Sequence, residues 1–174
     1  VSPALVLRMY QAKQLTDWDA PVLIKMTREL AHRAGLNSAP ALFYVPSHLA
    51  NALTVGTRDN AAIALTDGLI RNFTTREIRG VLAHEMGHYK KKHILQMLAV
   101  GLVQTGIMFY LLSLFISHQG LFDAFYMERA SVYAGLVFFG MLYAPIDFFL
   151  GLFAQGLSRK NEYEADRFAV ETTG

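Results

Sequence analysis

Cysteine is absent from the 174 residues, which excludes disulfides and any thiolate metal site. A metal ion could be held here only by His, Asp or Glu. A surplus of charge is lacking too. The formal net charge is +2, so nothing points to a nucleic-acid partner. Internal repeats and low-complexity tracts are missing. The most telling shortage is local: the 23 residues from Ile94 to Ile116 carry no charge, and the 28 from Ala130 to Leu157 carry only Asp147. As a helix the first stretch spans about 34 Å, enough for a hydrocarbon core of about 30 Å. Charges gather instead in residues 1–93 and 158–174, so a membrane hairpin inserted into a water-facing domain is expected. The plainer alternative is a pair of core helices in a soluble bundle. A chain that begins at Val1 and stops at Gly174 is expected to be part of a longer protein.

What is present begins with a helix read from Pro21, with Asp19 as an acceptor near its start. Val22, Met26, Leu30 and Ala34 recur at helical spacing, and Gly35 is the stop. Residues 1–16 carry no clear signal. Ala41–Val45 reads as a strand. Asn51–Gly56 and Ala61–Leu65, separated by a polar turn at Thr57–Asn60, read as an antiparallel pair. Thr74 with Glu77 three residues on forms a capping box, so a helix is expected from there. That helix carries His84-Glu85-Met86-Gly87-His88, an H-E-x-x-H sequence. Residues four apart share a helix face, so His84 and His88 can offer two imidazoles to one zinc ion. Glu85 then stands beside the metal-held water as the general base. The helix is expected to run on through Lys90, Lys91 and Lys92 into the first apolar span.

A catalytic zinc needs a third protein ligand and an open position. The residues alone leave His93, His118, Asp147, Glu162, Glu164 and Asp166 as candidates. Glu162 and Asp166 are four apart in a polar, helix-compatible segment for which Ser158 is a possible N-cap. They return towards His84 if the hairpin closes, and an aspartate there can orient a ligand histidine.

The ordered set His84-Glu-Met-Gly-His88, two apolar spans, and Ser158-Arg159-x-x-Glu162-Tyr163-x-Ala165-Asp166 resembles the membrane metallopeptidase family of HtpX and the CAAX prenyl proteases. Asn51-Ala52-x-x-x-Gly56 and Thr66-x-Gly68-Leu69 match the same pattern, so the likeness covers residue 20 to the end. It implies an α+β, mostly helical zincin-like fold, with a small antiparallel sheet and an inserted transmembrane hairpin. One metallopeptidase domain would then comprise a catalytic part at 17–93, two spans at 94–157 and a third-ligand helix at 158–174.

The resemblance implies Glu162 as the third ligand of one catalytic Zn2+, Asp166 as its companion, and Asn51, Ala52 and Leu53 as the edge along which a peptide lies. Arg159 has two readings, a partner for a ligand carboxylate or a juxtamembrane anchor. The implied activity is a zinc metalloendopeptidase acting on polypeptide, chiefly membrane-protein segments, in contact with lipid. The upstream region favours the HtpX-like branch, which cuts misfolded membrane proteins. CAAX prenyl endopeptidase activity is the alternative, and a non-catalytic scaffold with a vestigial zinc site is a third reading. Lysines before the hairpin and Arg159–Lys160 after it place the catalytic part on the cytoplasmic side by the positive-inside rule.

Overall fold

Every backbone group of the central strand must find a partner, and here it does so from both sides. A computed structural model describes residues 3–56, 60–126 and 131–174, apart from the side chains of Gln119 and Leu121. The order of elements is α1 (Pro3–Met9), β1 (Lys13–Gln14), α2 (Pro21–Arg33), β2 (Ala41–Val45), β3 (Ala52–Val55) and β4 (Ala62–Thr66). Then follow α3 (Asp67–Asn72), α4 (Thr75–Lys90), α5 (His93–Ser117), α6 (Gln119–Ala124) and α7 (Val132–Thr173). The strands form one sheet in the order β1-β2-β4-β3. All five residues of β4 are buried, as suits a strand covered on both faces.

The expected pairing of β3 with β4 is antiparallel, with Ala52 opposite Leu65 and Val55 opposite Ala62. The sheet as a whole is mixed, however, and not antiparallel throughout. Ala41–Val45 runs parallel to β4, because β3 intervenes in the chain and takes the antiparallel place beside β4. Gly56, at φ 87°, turns the chain out of β3, and a Cβ there would run into the Asn60 carbonyl. The polar turn at Thr57–Asp59 lies outside the described residues, as do Glu128 and Arg129 of the loop between the spans. The first 16 residues hold more structure than their sequence announces, for β1 pairs antiparallel with β2. Their signal is weak because the strand is two exposed residues long.

The chain divides into two compact units, Val1–Leu95 with Lys160–Gly174, and Gln96–Arg159. In the first, Met26, Leu30, Leu42, Ile63, Leu65, Leu82, Met86 and Phe168 form the main core. α2 follows the expected stripe except at Val22, which is 60% exposed. Its N-cap is Ala20 without a side-chain bond, since Asp19 accepts from the Thr16 backbone and hydroxyl instead.

In the second unit, the apolar windows of α5 and α7 are 0% and 6% buried. Both helices are long and apolar enough to cross a membrane. Core helices of a soluble bundle would hide these side chains, so that reading is not supported. Within this unit Gln104 Nε2 donates to Asp147 Oδ1 at 3.1 Å. The one acid of the apolar stretch is therefore hydrogen-bonded.

Two expected boundaries change. The chain does not pass straight from α4 into α5, because Lys92 takes φ 59° and turns it. Nor does a new helix begin at Ser158: α7 is continuous for 42 residues, through Pro145 and past Ser158. Good helix formers such as Leu157, Arg159, Lys160 and Glu162 keep the ladder intact, and Ser158 never needs to cap.

Candidate metal centre

The centre is built on α4. Thr74 Oγ1 accepts from the Glu77 N–H at 3.3 Å, and Glu77 Oε2 accepts from the Thr74 N–H at 2.7 Å, completing the capping box. These bonds from Thr74, the backbone first, hold the Glu77 carboxyl below the usual carboxylate range. A carboxyl whose folded pKa is lowered stabilises the fold fully above its unfolded value. Its contribution is lost as pH falls through the folded one, so acid loosens this cap. The rotation that buries Ile78, Leu82, Ala83 and Met86 leaves His84, Glu85 and His88 half-buried.

The facing element is the last part of α7. Asn161, Ala165, Phe168 and Thr172 are buried there at helical spacing. The Arg33 guanidinium also donates to the Thr172 carbonyl at 3.1 Å. Gly87 lets the two helices meet: a Cβ on it would lie 3.1 Å from Ala165 Cα and from Phe168 Cδ1. Gly87→Val is therefore expected to destabilise the protein by about 1–3 kcal/mol through overpacking, more than its gain in helix propensity offsets. It should also weaken zinc binding, because α7 carries Glu162. Thermal melts with and without zinc check this, and a variant as stable as the parent would mean that α7 yields at no cost.

Across this contact His84 Nε2 and His88 Nε2 stand 3.0 Å apart. Glu162 Oε2 is 3.4 Å from the first, and its Oε1 is 3.6 Å from the second. One ligand atom from each residue lies within 4.8 Å of the others. A tetrahedral ion with bonds of about 2.0–2.1 Å sets its donor atoms about 3.3 Å apart, close to what is found. Asp166 Oδ1 lies 2.8 Å from His84 Nδ1, a carboxylate that can only accept there, and in the neutral ring this leaves Nε2 a lone pair for a cation. Two imidazoles and a carboxylate converging in this way fit a zinc-type cation.

Glu85 is held from β3. The Thr54 hydroxyl lies 2.6 Å from Glu85 Oε2, to which it donates, and 3.2 Å from the Glu85 carbonyl. Thr54 was not singled out from sequence. A threonine in a strand is ordinary, and only the placement of α4 beside β3 gives it a partner.

β3 is an edge strand. Thr66 N–H donates to the Asn51 carbonyl at 3.1 Å, so by alternation the backbone groups of Ala52 and Thr54 face the open side. Asn51 and Leu53 pair inward. The Asn51 carboxamide oxygen meanwhile accepts from the Ala52 N–H at 2.9 Å. Beside His88 opens a cavity of about 320 Å³, lined by Leu36, Asn37, Tyr89, Lys92 and Leu95 among others.

The structure thus brings together His84, Glu85, His88, Glu162 and Asp166, with Ala52 on the adjoining edge. Arg159 is exposed and belongs to the other unit, as do His118 and Asp147.

Comparison with known proteins agrees with this geometry. The model of peptidase family M48 matches residues 17–174. A "Protease HtpX homolog" of Paraburkholderia phytofirmans is 33% identical over 99% of this chain and 58% of its own length. The homolog of Burkholderia mallei is 34% identical over the same shares. The chain therefore spans 58% of the length of these curated relatives. The crystal structure of S. mikatae Ste24p superposes with a TM-score of 0.73 at 26% identity, covering 96% of this chain and 43% of that one. This fits a zincin-like α+β fold. With its two separated helices meeting at a His-His-Glu cluster and 158 residues under one family model, the chain belongs to peptidase family M48.

Proposed function

We propose that this chain is the catalytic part of a zinc-dependent membrane endopeptidase. The observation that carries the reading is the convergence of His84 Nε2, His88 Nε2 and a Glu162 carboxylate oxygen within 4.8 Å. These three residues hold the ion, and Asp166 keeps His84 in the binding tautomer. Zinc, when bound, supplies a Lewis acid and brings the pKa of a coordinated water to about 7. Glu85 is the base. Its carboxylate takes the proton of the attacking water and returns it to the leaving amine. The Thr54 hydroxyl orients that carboxylate. An extended peptide pairs with the open groups of Ala52 and Thr54 as an added strand. To do so it displaces the Asn51 carboxamide from the Ala52 N–H, so Asn51 serves here as a gate to the edge.

The substrate is polypeptide, and quality control of misfolded membrane proteins is the favoured role, supported by the likeness to relatives named as HtpX homologs. CAAX processing is the second reading, supported by the likeness to Ste24p. Full-length enzyme in detergent, offered an unfolded membrane protein and a prenylated CAAX peptide in parallel, separates the two. Chelator-sensitive cleavage of the first alone is expected. Zinc uptake with no cleavage of either would instead favour a scaffold.

The two long apolar helices cross the bilayer, with the catalytic unit on the cytoplasmic side. Lys90 is occupied within that unit, donating to the Ala34 carbonyl at 2.5 Å. Lys90 keeps its charge in that bond, so the topogenic charge is carried by Lys90, Lys91, Lys92, Arg159 and Lys160, where Arg159 serves as an anchor. Because the chain has no cysteine, a single Lys91→Cys gives a clean label. Labelling by an impermeant thiol reagent only after the cytoplasmic face is opened is the expected outcome; labelling from outside reverses the topology.

A further inference from the structure

His93 is 3% exposed, yet it belongs to neither the ligand set nor the base. On an uninterrupted helix it would sit roughly 140° around the axis from His88. The left-handed turn at Lys92 instead swings it back, and the two rings meet edge to face with centroids 5.1 Å apart. His93 Nδ1 is 3.1 Å from His88 Nδ1. On its far side His93 Nε2 faces Glu164 Oε2 at 3.5 Å. Glu164 Oε1 in turn lies 3.8 Å from Lys160 Nζ.

Only one proton can lie between two Nδ1 atoms, and its owner decides what His88 can do. If His93 donates, the His88 proton moves to Nε2, which points at His84 Nε2 and blocks a cation. If His88 donates, its Nε2 carries a lone pair. His93 Nε2 makes no hydrogen bond among the described residues, but the negative Glu164 carboxylate 3.5 Å away favours a proton there by its charge, which leaves His93 Nδ1 as the acceptor and selects the second arrangement.

We propose that His93, backed by Glu164, is a positioning residue that fixes His88 in its metal-binding tautomer, as Asp166 does for His84. This rests on the zinc reading above. Each ligand histidine then has its own acceptor, one a carboxylate directly and the other a carboxylate acting through a second imidazole.

The test is zinc affinity, by competition with a chromophoric chelator, together with the visible spectrum of the cobalt-substituted protein. His93→Leu is expected to weaken zinc about 10–100-fold and to alter the cobalt bands. His93→Asn, whose side-chain oxygen can stand where Nδ1 stood, should recover most of the loss. Affinity within twofold of the parent and unchanged bands in His93→Leu would overturn the proposal, as would equal losses in the Leu and Asn variants. If His93→Leu does not fold, Glu164→Ala carries the test, since that side chain is 39% exposed and outside the core. A loss of about tenfold is expected there, and an unchanged affinity overturns the relay. A parent that takes up no zinc overturns the zinc reading and the relay together. A parent that binds zinc while the variants match it overturns the relay alone.

Discussion

Glu85→Gln is expected to retain zinc at the parental stoichiometry while its peptide cleavage falls by about 10³-fold or more. Glutamine keeps the shape of the side chain and can still accept from the Thr54 hydroxyl, so the fold and the three ligands should be undisturbed. What it loses is the capacity to take a proton from water. A general base of this kind contributes about 10²–10⁴-fold. Metal analysis alongside an initial-rate assay reads both quantities from one sample. Turnover close to the parent would remove Glu85 from the mechanism, whereas loss of zinc would make it a ligand.

Glu162→Ala tests the other half of the centre. Structural zinc sites with four ligands bind with about 10–16 kcal/mol, or roughly 3 kcal/mol for each ligand, so removing one should cost at least ~10²-fold in zinc affinity. Activity should vanish with the metal. The side chain is half exposed and lies outside the core, so a stability defect in the metal-free protein is not expected to confuse the result. Dialysis against a weak chelator followed by metal analysis is sufficient. Zinc retained in full would strike Glu162 from the ligand set and turn attention to Asp166, the other carboxylate against His84.

The centre was unevenly legible in the sequence, for physical reasons. A spacing of four within a capped helix is a local property, so His84, Glu85 and His88 could be named from the chain alone. The Thr74–Glu77 box, the Pro21 helix and the β3–β4 pairing depend likewise on neighbours a few residues apart. Glu162 could not be chosen in that way. It is 74 positions beyond His88, and six residues competed for the role until a resemblance favoured one. Even so, the pattern could not say why α7 approaches closely enough. That depends on the missing Cβ of Gly87 meeting the backbone at Ala165.

The sequence is least informative where a local rule meets a tertiary demand. A helix ending at Lys90 and restarting at His93 carries no Gly or Pro to announce it, because the turn is made by Lys92 at positive φ. The parallel partner of β4 is not written in either strand, because strand order is a property of the sheet. The resemblance marks Asn51, Ala52 and Leu53 as the edge for a peptide, and alternation in the ladder adds that the backbone groups of Ala52 and Thr54 are the ones turned to its open side.

By itself the sequence determined the chemistry on offer: no thiolate, two imidazoles and a carboxylate on one helix, and two stretches too apolar and too long for an ordinary core. Those follow from residue types and short spacings. Only the tertiary structure decided which distant groups serve that chemistry. Asp166 on His84, Thr54 on Glu85 and His93 on His88 are contacts between separate elements, and their geometry is set by how those elements pack.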